Sequence, residues 1–586
     1  MSPNSILPGR STSAPSSDAP LLEVKGLSIA FPTPHGRAQA VKDISFHIAA
    51  GEILALVGES GSGKSVTARA IVGLAGSRAE IQAETMALAD GDGRAHDLLN
   101  LSERSWRRLR GREIGFVLQD ALVSLDPLRT VGREVAEPIL AHRLLPRSQV
   151  ARRVEELLRQ TGIPDPDHRA AQYPHELSGG LRQRALIASA LAAHPRLLIA
   201  DEPTTALDVT VQRQVLAVFK ELASAGHGVL IITHDLAVAM QLADRLIVMQ
   251  SGRLVEAGSA RKVLSAPQHD YTRRLLAAVP TGATRGRWLS IADGAPVRRP
   301  EVRSDEPLLE VRNVSVGFKR PDGSRFDAVR QVSLDVGRGE TLGIVGESGS
   351  GKTTLGKVAL ALRRPDSGEV LFEGRPWSGL AEAERRPLRR HIQTISQDPL
   401  GSFDPRFTVE RLLDQPLRLR GDLDRPARRR KIGELIEWVG LPAELLARRP
   451  NTLSGGQRQR VSIAQALAAE PKLLICDEPV SALDVTTQAQ VLDLLVDLQG
   501  RLGLSMLFIS HDLGVVQHMS HRIVVMKDGE IVETGPVESL FDDPRHPYTR
   551  DLIAAVPALS AELRAPAGMP PADPVIGLLV DSGAKG

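Results

Sequence analysis

Apolar residues fall along this chain in three rhythms, and the whole succession occurs twice. Leu21-Leu22-Glu23-Val24 and Val41-Lys42-Asp43-Ile44-Ser45-Phe46 alternate apolar and polar positions between Gly and Pro residues. Their copies are Leu308-Leu309-Glu310-Val311 and Val329-Arg330-Gln331-Val332-Ser333-Leu334. Such alternation predicts a small antiparallel β layer in each half. Continuous short apolar runs follow: Ile53-Leu54-Ala55-Leu56-Val57 and Leu197-Leu198-Ile199-Ala200 in the first half, Thr341-Leu342-Gly343-Ile344-Val345 and Leu473-Leu474-Ile475-Cys476 in the second. These read as strands covered on both faces, hence as a parallel sheet. Three- and four-residue spacing over Gln149 to Gln160 and Arg428 to Val439 predicts helices. So do Arg182 to Ala193 and Arg458 to Ala469, rich in Ala, Leu and Ile with no breaker.

Equivalent landmarks keep an offset of roughly 280 residues, too long for a solenoid period and right for a duplicated domain. The offset shrinks after the first landmark, so the first half carries extra residues, assigned here to the turn-rich Asp90-Gly91-Asp92-Gly93-Arg94. The expected organisation is a disordered Ser/Pro-rich leader over 1–20, a domain over 21–280, a linker over 281–306, a second domain over 307–560 and a poorly ordered tail over 561–586. The linker contains Pro296 and Pro300 and holds no sustained period.

Of 586 residues, 42% are hydrophobic and 24% charged, and the net charge is +3. This is ordinary soluble composition with only a small basic excess for its length, so no nucleic-acid partner is expected. The single cysteine, Cys476, excludes an internal disulfide and a thiolate cluster built from this chain alone. No apolar stretch approaches the roughly 18–20 residues that cross a bilayer, and Met1 to Pro20 lacks the apolar core of a secretory signal. If the protein serves a membrane process, the spanning parts are expected on other chains.

Chemistry concentrates after the buried strands. Gly58-Glu59-Ser60-Gly61-Ser62-Gly63-Lys64-Ser65, with Val66 next, follows one strand and opens a helix. Gly346-Glu347-Ser348-Gly349-Ser350-Gly351-Lys352-Thr353, with Thr354 next, does the same in the second half. Strand, G-x-x-x-x-G-K-[ST] and helix make a P-loop. Its glycines let successive N–H groups face phosphate oxygens, the lysine reaches the β/γ-phosphates, and Ser65 or Thr353 supplies a hydroxyl for Mg²⁺. Asp201-Glu202 and Asp477-Glu478 end the later strands. There the aspartate can hold Mg²⁺ and the glutamate, on the other side of the strand, can orient or deprotonate water. Upstream, Ser178-Gly179-Gly180 and Ser454-Gly455-Gly456-Gln457 open helices. The serines read as N-caps, and the glycines add exposed backbone N–H groups, a second anion site.

Leu177-Ser178-Gly179-Gly180 and Leu453-Ser454-Gly455-Gly456, each followed by a strand ending in Asp-Glu-Pro and then by Ala206-Leu207-Asp208 or Ala482-Leu483-Asp484, resemble the nucleotide-binding domains of ABC ATPases, twice over. The resemblance implies an α/β fold of two tandem P-loop NTPase domains, each a parallel-sheet core with an antiparallel β layer and a helical subdomain. It assigns Gln119 and Gln397 to the Q-loop, which senses Mg²⁺ and faces membrane subunits, and His234 and His511 to the switch histidine. It implies ATP and Mg²⁺, with the metal near Ser65, Gln119 and Asp201 or Thr353, Gln397 and Asp477. It also implies two sites formed head to tail: Lys64, Asp201 and Glu202 with Ser454, Gly455 and Gly456; Lys352, Asp477 and Glu478 with Ser178, Gly179 and Gly180. Both sets are complete, which implies two hydrolytic sites. Phe326 occupies the family's adenine-stacking place, whereas the first half has Ala38 there, with His35 or Phe31 the nearest substitutes.

Within the family, Gln119-Asp120-Ala121-Leu122-Val123-Ser124-Leu125-Asp126-Pro127, Gln397-Asp398-Pro399-Leu400-Gly401-Ser402-Phe403-Asp404-Pro405, His546-Pro547-Tyr548-Thr549-Arg550 and His269-Asp270-Tyr271-Thr272-Arg273 are similar to ATPases of oligopeptide, dipeptide and nickel importers, and to glutathione-type importers. The likeness implies an ATP-hydrolysing subunit on the cytoplasmic face of a bacterial inner or plasma membrane. A single copy would serve two transmembrane permease subunits and an extracytoplasmic solute-binding protein, with peptides as cargo, or nickel, glutathione or another small solute as the alternative. Many relatives have a cysteine-rich segment after this motif that can carry an iron–sulfur cluster; with Cys476 alone, none is expected. The rival class, a soluble tandem ATPase acting on ribosomes, has a long charged helical linker that 281–306 does not resemble.

Overall fold

In a computed structural model of the protein, which describes residues 20–33, 36–90, 94–118, 124–204, 207, 209–291, 295–297, 302–319 and 323–554, the apolar runs before both P-loops are strands with every residue buried, Ile53–Val57 and Thr341–Val345. Each lies inside a six-stranded sheet. The first has the order Arg253–Ser259, Arg245–Gln250, Ile53–Val57, Gly228–Ile232, Leu197–Asp201, Ile114–Val117. The second repeats it as Glu530–Pro536, Arg522–Lys527, Thr341–Val345, Ser505–Ile509, Leu473–Asp477, Ile392–Ile395. Only the outermost strands, Arg253–Ser259 and Glu530–Pro536, pair antiparallel; the other pairings are parallel. Parallel strands are covered on both faces, the reason they read as unbroken apolar runs. Sharing one direction, they deliver the P-loop, Asp201-Glu202 and Thr233-His234 to the same sheet edge.

The alternating segments form the expected antiparallel layers. Leu22–Thr33 pairs with Gly36–Ile48 and Thr85–Ala89, and Arg303–Lys319 pairs with Arg325–Arg338 and Ser367–Phe372. Of the insertion expected at Asp90-Gly91-Asp92-Gly93-Arg94, residues 91–93 lie outside the described residues; the Asp90 N–H donates to the Arg94 carbonyl, and a strand Glu80–Gln82 pairs with Leu22–Thr33 in the same layer. The leader and tail expected at the ends lie outside the described residues, apart from Pro20.

Helices cover each sheet and extend beyond it, including Val131–Ala141 and Arg147–Gln160 in the first lobe and Val409–Arg420 and Arg425–Trp438 in the second. The last of these starts three residues before the apolar spacing does, because Asp424 accepts the Ala427 N–H and caps it. The Gly/Pro-containing segment between the lobes does not hang free over its described part. Leu289 is buried in the core of the second lobe. The Leu289 and Ser290 amides donate to Asp493 at 2.9 and 2.7 Å, and Arg285 donates to the Ser520 carbonyl at 3.0 Å. No described helix is long and apolar enough to cross a membrane.

Candidate nucleotide site

Each P-loop leaves its strand through a glycine no other residue could replace. Gly58 has φ 148°, and a Cβ there would lie 2.2 Å from the Met249 carbonyl oxygen; Gly346, at 152°, would meet Met526 at the same distance. Ser60 to Gly63 and Ser348 to Gly351 then curl into the helices Lys64–Ile71 and Lys352–Ala359, with Val66 and Thr354 in the first turns. The lysines fold over their own loops. Lys64 Nζ donates to the Gly58 and Glu59 carbonyls at 2.7 Å each, and Lys352 Nζ to Gly346 and Glu347 at 2.7 and 2.8 Å. Burial lowers the Lys64 pKa, although Glu202, Asp484, Asp201 and Glu59 all oppose the shift.

Ser65 Oγ donates to Asp201 Oδ1 at 3.0 Å and Thr353 Oγ1 to Asp477 Oδ1 at 3.2 Å. Asp201 is fully buried, and its Oδ2 has no hydrogen-bond partner among the described residues. Burial pushes the Asp201 carboxyl above its ordinary range, with the charge of Glu202 adding to the shift and the Ser65 hydrogen bond opposing it. Asp477 is raised by burial in the same way. A buried, half-satisfied carboxylate beside a hydroxyl fits a hard cation such as Mg²⁺, whose other ligands would be phosphate and water. Gln119, the remaining expected ligand of the first site, lies outside the described residues.

The glutamate after each aspartate has turned into the left-handed region, φ 50° at both Glu202 and Glu478. For a non-glycine residue this is unusual backbone, repeated here at both sites. It separates the two adjacent carboxylates: Asp201 and Asp477 face the P-loop hydroxyls, while Glu202 and Glu478 meet histidines. His234 Nδ1 is 3.5 Å from Glu202 Oε2, and His511 Nδ1 is 3.1 Å from Glu478 Oε2. Burial disfavours charge on either imidazole, but the paired glutamate and the neighbouring Asp235 or Asp512 outweigh it, so both histidines are raised. Gln397 Nε2 donates to Glu478 Oε2 at 2.9 Å, so here it touches the glutamate.

Ser178 and Ser454 do cap their helices, accepting from Leu181 N–H at 3.4 Å and Gln457 N–H at 3.3 Å. The helices therefore begin at Gly179 and Gly455, three residues earlier than the apolar composition suggests. Gln457 also accepts the Ser454 N–H at 3.1 Å and completes a capping box. These glycines are not needed for positive φ. A Cβ on Gly456 would come 2.3 Å from Thr487 Cγ2, whereas one on Gly179 would meet nothing within 4 Å. Thr487 belongs to the helix Val485–Leu502, capped by Asp484. On that helix Thr486 Oγ1 donates to Glu59 Oε1 of the other lobe's P-loop at 2.8 Å. Val485 packs against the cluster containing Val57 and Tyr271 of the first lobe.

Phe326 is exposed and pairs across its sheet with Phe318, two residues before Ala328, whose carbonyl backs the Gly351 turn. In the first lobe Phe31 pairs with Ala38, so alanine holds the corresponding register position. Phe31 itself packs against the core, and His35 lies outside the described residues. Thr486 carries no mark in the sequence, because its role depends on the facing lobe. Tyr271 and Tyr548 do carry one, their repetition at matching places in the two halves.

The chain matches the family model described as ABC transporter twice, over 41–205 and 329–481. It matches the oligopeptide/dipeptide transporter C-terminal region over 255–302 and 532–575. It is 44% identical over 557 residues to the glutathione import ATP-binding protein GsiA of Salmonella typhi, covering 92% of this chain and 89% of that one. To the protein of the same name from Shigella dysenteriae serotype 1 it is 44% identical over 571 residues, covering 93% and 91%. Among solved structures, the dimeric structure of a bacterial ABC transporter cassette is 30% identical, covering 39% of this chain and 98% of that one, with a TM-score of 0.37.

Proposed function

The chain belongs to the ABC transporter family, as an ATPase with two nucleotide-binding cassettes, and from that premise we propose that the two cassettes share both ATP sites head to tail and drive the import of a short peptide of the glutathione class. The observation that carries the shared sites is the Thr486–Glu59 hydrogen bond. It ties the P-loop of one lobe to the helix that also backs Gly456 of the other. A second reading of the cargo, nickel or another small solute, lacks the support that the glutathione import relatives and the C-terminal region lend to peptides.

In this mechanism Lys64 and Lys352 exchange their loop carbonyls for phosphate oxygens, with the P-loop N–H groups completing the cradle. Ser65 with Asp201, and Thr353 with Asp477, would hold Mg²⁺, with Gln119 and Gln397 completing that set, and the cation would supply positive charge to offset that of the phosphates. Glu202 and Glu478 accept a proton from the attacking water, and His234 and His511 orient those carboxylates. Ser178, Gly179 and Gly180, and Ser454, Gly455 and Gly456 with Gln457, present helix N-termini to the γ-phosphate of the opposite P-loop. Phe326 stacks adenine at the second site. Closure on ATP moves two permease subunits from the cytoplasmic face of the membrane, and loss of the γ-phosphate lets the lobes part. One copy of the chain serves each transporter, with a solute-binding protein supplying cargo.

Reconstituting the chain with its two permeases in vesicles tests this reading. ATP-dependent uptake of glutathione or a short peptide, stimulated by the binding protein, is the expected result. ATPase activity that no peptide or binding protein changes would count against it.

A further inference from the structure

Behind both P-loops sits a buried tyrosine that no step of hydrolysis uses. The Tyr271 hydroxyl accepts the Glu59 N–H at 3.0 Å, and the Tyr548 hydroxyl accepts the Glu347 N–H at 3.0 Å. Each of these N–H groups belongs to a peptide unit whose carbonyl is also engaged. Gly58 O accepts from Lys64 Nζ, and Gly346 O from Lys352 Nζ, at 2.7 Å each. A peptide unit is planar and stiff. Phenol and ammonium therefore grip the two edges of one plate, and tilting that plate carries the lysine's anchor with it.

The tyrosines are themselves braced twice over by the same parts. They ride on the short helices Asp270–Ala277 and Pro547–Ala554. His269 Nδ1 accepts the Tyr271 N–H at 3.1 Å, and His546 Nδ1 the Tyr548 N–H at 3.2 Å. Upstream, Glu256 accepts the Gln268 and His269 amides, and Glu533 those of Arg545 and His546. Burial pushes the Tyr271 hydroxyl up to about 12, so it remains a neutral hydroxyl at any working pH. A buried tyrosine needs some polar partner. That both copies choose the same P-loop amide, on the plate that anchors the lysine, separates these from tyrosines that merely fill a core.

We propose that Tyr271 and Tyr548 are positioning residues for phosphate binding: each phenol sets the tilt of the Gly58–Glu59 or Gly346–Glu347 peptide and so places Lys64 or Lys352. The proposal rests on those lysines being the phosphate ligands, and the test separates the two claims. Equilibrium binding of Mg-ATP to the full chain is measured for Y271F and K64A, singly and together, with the second site silenced by K352A throughout. Losing the one hydroxyl should weaken binding about 3- to 10-fold with the melting temperature nearly unchanged. In the K64A background the added Y271F should cost nothing more, because the tyrosine acts through the lysine. Normal binding by Y271F, or an equal loss with and without Lys64, overturns the positioning role alone. Normal binding by K64A overturns the lysine assignment and this proposal with it. Should Y271F destabilise the first lobe, Y548F with K352A in a K64A chain gives the same cycle in the second.

Discussion

Thr486 Oγ1 and Glu59 Oε1 are 2.8 Å apart across the two lobes, joining a P-loop to the helix that follows the opposite Asp484. A hydrogen bond to a carboxylate is worth about 1.5–3 kcal/mol. Thr486→Val keeps the side-chain shape and removes that bond. The expected outcome is a tenfold or greater fall in kcat, on the order of 1.4 kcal/mol or more, because lobe closure is weakened. ATP affinity of the P-loop itself should change little. Steady-state ATPase kinetics beside equilibrium nucleotide binding read the two effects separately.

Glu202 and Glu478 share an uncommon backbone conformation and a histidine partner. Replacing both with Gln keeps size and hydrogen bonding but removes the base. Turnover should drop by about 10²–10⁴, with Mg-ATP binding retained. Phosphate-release and binding assays on the double variant check this; near-normal turnover would contradict the assignment.

The glycines at the two serine-capped helices should respond differently to alanine. Gly456→Ala places a Cβ against Thr487, so the second lobe should lose stability by about 1–3 kcal/mol, the usual cost of overpacking. Gly179→Ala meets open space in this chain. It should leave the melting temperature unchanged yet lower kcat, since the added methyl would intrude where a γ-phosphate docks. Calorimetry and ATPase assays on the pair distinguish a packing role from a ligand-facing one.

Asp493 anchors the connecting segment through the Leu289 and Ser290 amides. Burial raises its carboxyl above the ordinary 3.8, and the amide hydrogen bonds only partly oppose this. The folded protein therefore binds that proton at higher pH than the unfolded chain does. The burial cost is fully present above the raised value, and stability recovers as pH falls through it towards 3.8. Relative to Asp493→Asn, the unsubstituted protein should thus gain stability on acidification over that window. Denaturant titrations of both proteins at several pH values give the difference; a flat difference would contradict the shift.

Local chemistry made much of this protein legible before folding. Ile53–Val57 could be read as a buried parallel strand because both its faces are covered, leaving no polar alternation. Gly58 could be read as obligatory because the turn it makes tolerates no side chain. The capping serines were legible for the same local reason. Apolar composition alone would have started these helices at Arg182 and Arg458; it is the caps that place the starts at Gly179 and Gly455, since glycine has poor helix propensity and joins the helix because the serine ahead of it supplies an acceptor.

The order of residues thus specified two P-loops, two strand-ending carboxylate pairs and two capped helices, all set by contacts within a few positions. Which of these meet was decided only by the folded chain. Glu59 reaches Thr486, Tyr271 reaches the Glu59 amide, and Leu289 enters the second lobe's core. Hydrogen bonds and apolar burial act over a few ångströms, so partners hundreds of residues apart leave no periodic mark on the sequence. They become neighbours only when the sheets bring distant strand ends to one edge.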